Sequence, residues 1–503
     1  MYLQAEMWVA YLNMELELDN LGAAESIFSK ALPKVVNVPL WLVYLDYVRR
    51  RNNLNDAGSE ARMVVARAYE FVLDNVGIDR DSGRIWQDYV QFIRSGPGTI
   101  GGSGWQDQQK MDQLRKAFRR ATSVPISNVN QLWKEYDQFE MGLNKITGRK
   151  FLAERSPAYM SAKSANTALD NLTRGLSPTT LSHLPPVAGF EGHQEYMTQV
   201  DLWQKRIAWE KSDPLDLQAD EPEVLKARIL YCYKQAVMPL RFWPELWVEA
   251  AEWCFENDIK ENNQEKGLDF LVDGIEANPE SVLLAFKHAD RIESTYPVEE
   301  GDDAKVARGT AVRKPYDKAI QALREQYKSV QDREKADLLR LEERLAAANP
   351  QQSNNNDEDD EDDDRRGFNI DAHKTAVNEE KEQQTAFIKQ GYLVQIDTVS
   401  KCLTHVWIAL ARAMRRIQGK GTPHTPLGGL RHVFAEARKG GRLKSDIYVA
   451  VAKMEWKCYN DKAGGKIFER GAKLFPEDPY FMIEYIKYLT AHGDHTSEFK
   501  PVQ

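Results

Sequence analysis

Apolar and aromatic positions recur at helical spacing along almost the whole chain. In AEMWVAYLNMELE, Trp8, Tyr11 and Glu15 stand at i, i+3 and i+7. NQLWKEYDQFEMG repeats those offsets with Trp133, Tyr136 and Glu140, and on an α-helix each trio lies along one stripe. Related aromatic starts occur at Trp41 with Tyr44 and Tyr47, Trp86 with Tyr89 and Phe92, Trp203 with Glu210, and Trp247 with Trp253. Looser copies stand at Leu284, Trp407, Tyr448 with Glu455, and Phe481 with Tyr485. The intervals 8 to 41, 41 to 86, 86 to 133, 203 to 247 and 407 to 448 fall in the range where a helical hairpin is the repeating unit.

Between successive starts lies a second pattern: an aromatic, a basic or polar pair, a small residue, then often Pro. It reads Phe28 to Ala31 with Pro33, Phe118 to Ala121 with Pro125, and Tyr233 to Ala236 with Pro239; Phe434 to Ala437 and Phe468 to Gly471 keep the spacing. The small residue admits a partner helix closely, the aromatic fills the groove beside it, and Pro marks the helix end. Each unit is therefore a helix-turn-helix hairpin. The fold class is all-α, an α-α superhelix of stacked hairpins, because two short helices bury enough surface only by stacking on neighbours. Packing accounts for the aromatics. The Glu that ends the stripe (Glu15, Glu140, Glu210, Glu455) admits two readings, a solvated helix face or a polar link to the adjoining helix.

Three interruptions divide the array. SGPGTIGGSG (95 to 104) is a glycine loop, and residues 176 to 194 form a Pro/Gly-rich loop. The third comprises a charged helix over 314 to 347, a disordered acidic insert at 349 to 366 (NPQQSNNNDEDDEDDDRR), and helix resuming over 374 to 417. The formal net charge is −9, and the run DEDDEDDD alone supplies eight negatives, so the body of the chain is close to neutral and lacks a global basic footprint for nucleic acid. One local bias remains: 401 to 444 holds ten Lys and Arg against one acid, Glu436. Its candidate surface residues are Arg412, Arg415, Arg416, Arg438, Lys439, Arg442 and Lys444. They could meet RNA phosphates, an acidic partner or the chain's own acidic insert, or form an ordinary solvated face.

Candidate chemistry is sparse. Gly96, Gly98 and Gly101 satisfy GxGxxG, but RIWQDYVQFIRS before them has helical rather than strand periodicity, which argues against a dinucleotide site. His492 and His495 lack a third ligand nearby, and the four cysteines form no CxxC pair, so neither zinc nor a disulfide framework is indicated; reduced, mostly buried thiols in an intracellular protein fit better. No cofactor, metal, membrane span or catalytic constellation is expected, and the chain reads as a non-enzyme.

The two-part signature resembles the half-a-tetratricopeptide (HAT) repeat, a relative of the tetratricopeptide (TPR) hairpin. The stretches DYVRRRN, SGPGTIGGSGWQDQQKMDQLRKAF, LWKEYDQFEMGLNKITGRKFL, SPAYMSAKSA, IAWEKSDPL and RFWPELWVEAAE are similar to the suppressor-of-forked family, the large HAT-repeat subunits of cleavage stimulation factor and cleavage factor IA. The resemblance implies a non-catalytic nuclear scaffold for pre-mRNA 3′-end cleavage and polyadenylation, joining an RNA-binding subunit to other processing factors. It implies two HAT domains, 1–221 and 222–503, and homodimerisation through the second. RNA is then met mainly through an RNA-recognition-motif partner, whose docking tail is not among these residues. The repeat alone fits equally a HAT scaffold of the splicing machinery.

Overall fold

The computed structural model describes residues 4–54, 60–177, 184–186, 188–261, 263–348, 364–423 and 426–491. Most of the acidic insert, part of the 176 to 194 loop, and the pair His492 and His495 lie outside the described residues. The chain comprises two compact units, residues 1–270 and 271–503.

In the first unit the helices are α1 (Ala5–Glu17), α2 (Leu21–Ala31), α3 (Val38–Arg51), α4 (Glu60–Val76), α5 (Gly83–Arg94), α6 (Trp105–Thr122), α7 (Val129–Leu143), α8 (Lys145–Leu172), α9 (His193–Lys211), α10 (Pro222–Ala236) and α11 (Pro244–Glu256). A two-residue antiparallel pair, β1 (Lys260–Glu261) with β2 (Gln264–Glu265), precedes α12 (Lys266–Ala277), which crosses the boundary between units. The second unit holds α13 (Val282–Thr295), α14 (Asp302–Ala348), α15 (Asp364–Gln418), α16 (Gly429–Gly440), α17 (Asp446–Tyr459), α18 (Ala463–Leu474) and α19 (Pro479–Ala491). Within each unit most successive helices pack on one another, and several first helices also meet the first helix of the following hairpin, as α1 does α3, α15 does α17 and α17 does α19.

Local chemistry sets these boundaries. The side chain of Asn37 accepts the Leu40 amide at 3.3 Å and that of Asn144 the Ile146 amide at 2.8 Å, satisfying donors at the starts of α3 and α8. Pro33, Pro125 and Pro239 each follow the end of a second-position helix (α2, α6, α10), as expected. The aromatic and small pair of that helix is buried in every copy: Phe28 with Ala31, Phe118 with Ala121, Tyr233 with Ala236, Phe434 with Ala437, Phe468 with Gly471. Gly471 shows why the position is small, since a methyl group there would lie 2.3 Å from Cζ of Phe481 on α19.

Several expectations need adjustment. Trp203 and Trp407 do not begin helices. Trp203 lies midway along α9, whose buried stripe already runs through Tyr196 and Val200, and Trp407 lies in the last quarter of the 55-residue α15. Periodicity cannot mark a start when the apolar stripe continues upstream. The helices flanking the acidic run are also longer than the expected 314 to 347 and 374 to 417. Tyr11 is 38% exposed while its neighbour Leu12 is fully buried, because α1 packs chiefly on α2 and α3 among the described residues.

Candidate functional site

The repeated stripe is the most distinctive constellation, and its Trp has two tasks. Trp41, Trp86, Trp203, Trp247 and Trp407 are buried in their units. In three of them the indole also ties down the preceding turn: Nε1 of Trp41 donates to the Val35 carbonyl at 3.2 Å, that of Trp86 to Gly77 at 2.9 Å, and that of Trp247 to Arg241 at 2.8 Å. A ring long enough to fill the groove thus reaches a carbonyl of the turn before its helix, and that of Gly77 also accepts from Ser82 Oγ at 2.9 Å. Trp203 and Trp407 lack this bond; their Nε1 atoms are buried with no hydrogen-bond partner among the described residues. Trp133 is only partly buried and stacks on Tyr159 at 4.3 Å with the rings 4° apart.

The terminal Glu is a link between helices. Glu140 is 1% exposed, and Arg115 of α6 grips it in a fork, Nε to Oε1 at 2.7 Å and Nη2 to Oε2 at 3.2 Å. Glu455, also 1% exposed, is held in the same way by Arg431 of α16 at 2.7 and 3.0 Å. In both pairs the carboxylate raises the arginine pKa above its ordinary value. Glu210 pairs with Arg228 of α10 at 3.0 Å, both side chains being 4% exposed. Glu15 instead accepts from Asn20 at 3.0 Å. Where the stripe has Val48 or Ile93 in place of Glu, a tyrosine makes the link in reverse: Tyr47 donates to Glu25 of α2 at 2.7 Å and Tyr89 to Glu70 of α4. Fork geometry makes these bonds directional, so they fix how adjoining helices register.

The arginine partners were not singled out from the sequence, although a signal exists. Arg115, Arg228 and Arg431 each stand three residues before an aromatic of their helix, Phe118, Tyr231 and Phe434. The remaining stripe residues, Tyr44, Tyr136 and Tyr448, are packing elements, and Tyr89 packs on Tyr69 besides making its link to Glu70. Tyr136 stacks on Phe118 at 5.5 Å, and Tyr448 meets Phe434 edge-on at 5.3 Å.

The glycine loop is built around a cation. Lys110 Nζ donates to the carbonyls of Gly96 and Gly98 at 3.0 and 2.9 Å, while Asp107 accepts the amides of Thr99 and Gly104 at 2.6 and 3.0 Å. Carbonyls turned inward and amides already bonded to a carboxylate are the opposite of a pyrophosphate cradle.

The basic stretch resolves into paired and unpaired members. Arg416 makes a fork with Glu293 at 2.7 and 2.6 Å, Lys420 and Arg431 meet Asp461, and Lys444 meets Asp397. Arg442 lies 4.0 Å from the Tyr327 ring centre, Arg438 lies over Phe434, and Arg415 touches Tyr459. Arg412, Arg438 and Lys439 are exposed and have no ion pair among the described residues. Formal charge therefore overstates the free positive surface.

Burial pushes the thiols of Cys232 and Cys254 up to about 12, which suits core packing and not nucleophilic attack; Cys458 is exposed. Among the described residues no group of His, Cys, Asp and Glu is arranged to hold a metal, and no helix is long and apolar enough to cross a membrane.

A family model described as suppressor of forked protein (Suf) matches residues 2–499. The chain is 58% identical over 502 residues to the mRNA 3'-end-processing protein rna-14 of Neurospora crassa, covering 98% of this chain and 42% of that protein. It is 55% identical over 494 residues to the RNA14 protein of Gibberella zeae (98% and 48% covered). With the rna14 protein of Schizosaccharomyces pombe it shares 31% over 497 residues (98% and 57% covered). The chain spans about half the length of these curated relatives. The crystal structure of CstF-77 superimposes with a TM-score of 0.51 at 16% identity, covering 98% of this chain and 79% of that one, which shows the HAT-repeat helical solenoid fold. With the family model matched from end to end over a repeating-hairpin fold, the chain belongs to the suppressor of forked family.

Proposed function

We propose that the chain is a non-catalytic assembly scaffold of the nuclear pre-mRNA 3′-end cleavage and polyadenylation machinery, joining an RNA-binding subunit to other processing factors. The observation that carries this reading is that the repeated Trp, Tyr and Glu are consumed in packing and in helix-to-helix bonds, as in an array built to be held rigid. The relatives' names supply the process. Family division into HAT domains at 1–221 and 222–503 is kept in this reading. RNA is met mainly through the partner subunit, the chain's own contribution being the weak, salt-sensitive attraction of Arg412, Arg438 and Lys439.

Competition in nuclear extract tests the proposal. An excess of the chain should occupy processing partners and suppress cleavage of a model pre-mRNA while splicing of a control transcript continues. The variant R412E/R438E/K439E should compete as well as the parent. Inhibition of splicing alone would favour the splicing scaffold, and inhibition lost in the triple variant would make the basic surface the binding site.

The second domain is proposed to form a homodimer. α17 buries residues on more than one stripe, whereas α19 leaves Tyr480, Ile483 and Ile486 about half exposed at i, i+3 and i+6, an apolar row suited to a symmetric contact. Sedimentation equilibrium at micromolar concentration should give a dimer for the chain and a monomer for I483E/I486E. A monomeric parent, or a variant that still dimerises, contradicts that contact.

A further inference from the structure

In the second unit the exposed cations at the end of α16 meet cations of α14, and the three arginines among them are held by rings instead of acids. Arg324 lies over Trp407 at 5.7 Å, Arg438 over Phe434 at 5.5 Å and Arg442 over Tyr327 at 4.0 Å, from Cζ to the ring centre. All three are exposed, and none makes an ion pair or side-chain hydrogen bond among the described residues. One turn gathers them. The guanidinium of Arg324 rests against Gly440, where a methyl group would run into Nη2, while Arg438 and Arg442 stand two residues to either side of that glycine. Gly441 follows at φ 66° and Arg442 itself at φ 62°, a left-handed conformation that is strained for an arginine and that accompanies the return of its side chain onto α14. Lys328, one helical turn beyond Arg324, and Lys439, next to Arg438, are also exposed and without an ion pair among the described residues. Of the acids flanking the arginines in sequence, Glu436 is held by Arg313 at 2.6 Å and Glu325 accepts from Gln321 at 2.9 Å.

We propose that this cluster binds the sugar-phosphate backbone of single-stranded RNA without reading its sequence, a step that rests on the pre-mRNA 3′-end-processing reading above. A guanidinium drawn to a ring face spends none of its N–H donors on the protein, so each arginine keeps a fork free for a phosphate. The rings beneath add no second attraction: Trp407 is 3% and Phe434 7% exposed, so neither a base nor an apolar side chain has a face to stack on or a slot to fill there. That selects the ligand. A peptide draws most of its affinity from apolar anchors seated in pockets, whereas a phosphodiester chain brings one charge per nucleotide whatever its bases. The chain's own acidic run cannot serve from the same copy. It joins α15 at Asp364, ~65 Å along that helix from Trp407, and residues 357 to 363 span at most ~25 Å.

Fluorescence anisotropy on the whole chain tests this with fluorescein-labelled U-rich and scrambled oligoribonucleotides of equal length. Both should bind alike, with a Kd on the order of 10 µM at ~0.1 M salt, and log K should fall with log salt by roughly 0.7 for each phosphate held. R324Q/R438Q/R442Q should weaken binding about tenfold or more and reduce that slope by about 2. R324K/R438K/R442K keeps the charge, so the slope should stay while affinity drops several-fold, because an ammonium presents no fork to a phosphate. The proposal fails if the glutamine variant binds as the parent does, or if the lysine variant does, which would make the cluster an ordinary basic face. It fails if one oligoribonucleotide is preferred by more than about tenfold, since backbone contacts carry no sequence. It also fails if the free peptide DEDDEDDD binds more tightly than RNA and loses that binding in the glutamine variant, which would assign the cluster to an acidic protein segment. Recovery of protein partners after ribonuclease treatment is untouched by any of these results, so the scaffold reading stands or falls separately.

Discussion

Replacing Glu210 by alanine is expected to destabilise the first unit by about 3–5 kcal/mol. The reason is burial on both sides: Glu210 and Arg228 are each 4% exposed, and Arg228 reaches both carboxylate oxygens at 3.0 Å. Removing one partner leaves a guanidinium out of water with no counter-charge. The neighbouring Arg206, which donates to Gln235 at 3.1 Å and is itself buried, makes the residual positive charge worse. In thermal unfolding the loss should appear as a drop on the order of 10 °C in the transition of that unit. The double substitution E210L/R228M should recover most of it, because no charge then remains to be desolvated. If E210A shifts the transition by no more than a surface substitution does, the pair is not a structural link and the solvated-face reading of the stripe glutamate returns.

Trp41→Ala is expected to cost a further 3–5 kcal/mol in its own right, roughly the range for emptying a large buried aromatic site. Trp41 is 1% exposed, packs on Tyr44 and Phe71 at 6.4 and 5.4 Å, and anchors the Val35 carbonyl. The conservative change separates packing from anchoring. Trp41→Phe removes the indole donor as well as volume, whereas Trp203→Phe removes volume and an N–H with no hydrogen-bond partner among the described residues. W41F should therefore lower the urea midpoint more than W203F does. Equal shifts would mean that turn anchoring contributes nothing.

These two residue types differ in how far the sequence exposes them. The Trp and Tyr positions declare themselves because helical period is local, and every copy needs a large apolar body where hairpins stack. The glutamate's partner does not, since Arg115 and Arg431 lie 25 and 24 residues before it and Arg228 lies 18 after Glu210. Which neighbouring helix supplies the arginine is decided by packing, and only the small recurring offset from Phe118, Tyr231 and Phe434 hints at it. Repeats carrying Val48 or Ile93 conceal the link altogether, because a tyrosine hydroxyl replaces the carboxylate and the acid moves to the other helix. Charge counting failed differently over 401 to 444. It sums formal charges, while Arg416, Lys420 and Lys444 are matched to Glu293, Asp461 and Asp397, distant in sequence or on other elements. The glycine loop was legible as a loop, and its lack of a preceding strand already argued against a nucleotide; that it encloses Lys110 required coordinates.

A scaffold is defined by what it holds, so the most direct test is affinity purification of the tagged chain from nuclear extract, treated with ribonuclease so that RNA cannot bridge, followed by mass spectrometry. The account predicts stoichiometric recovery of cleavage and polyadenylation factors. Recovery of splicing components without those factors, or of no stable protein partner at all, would contradict it.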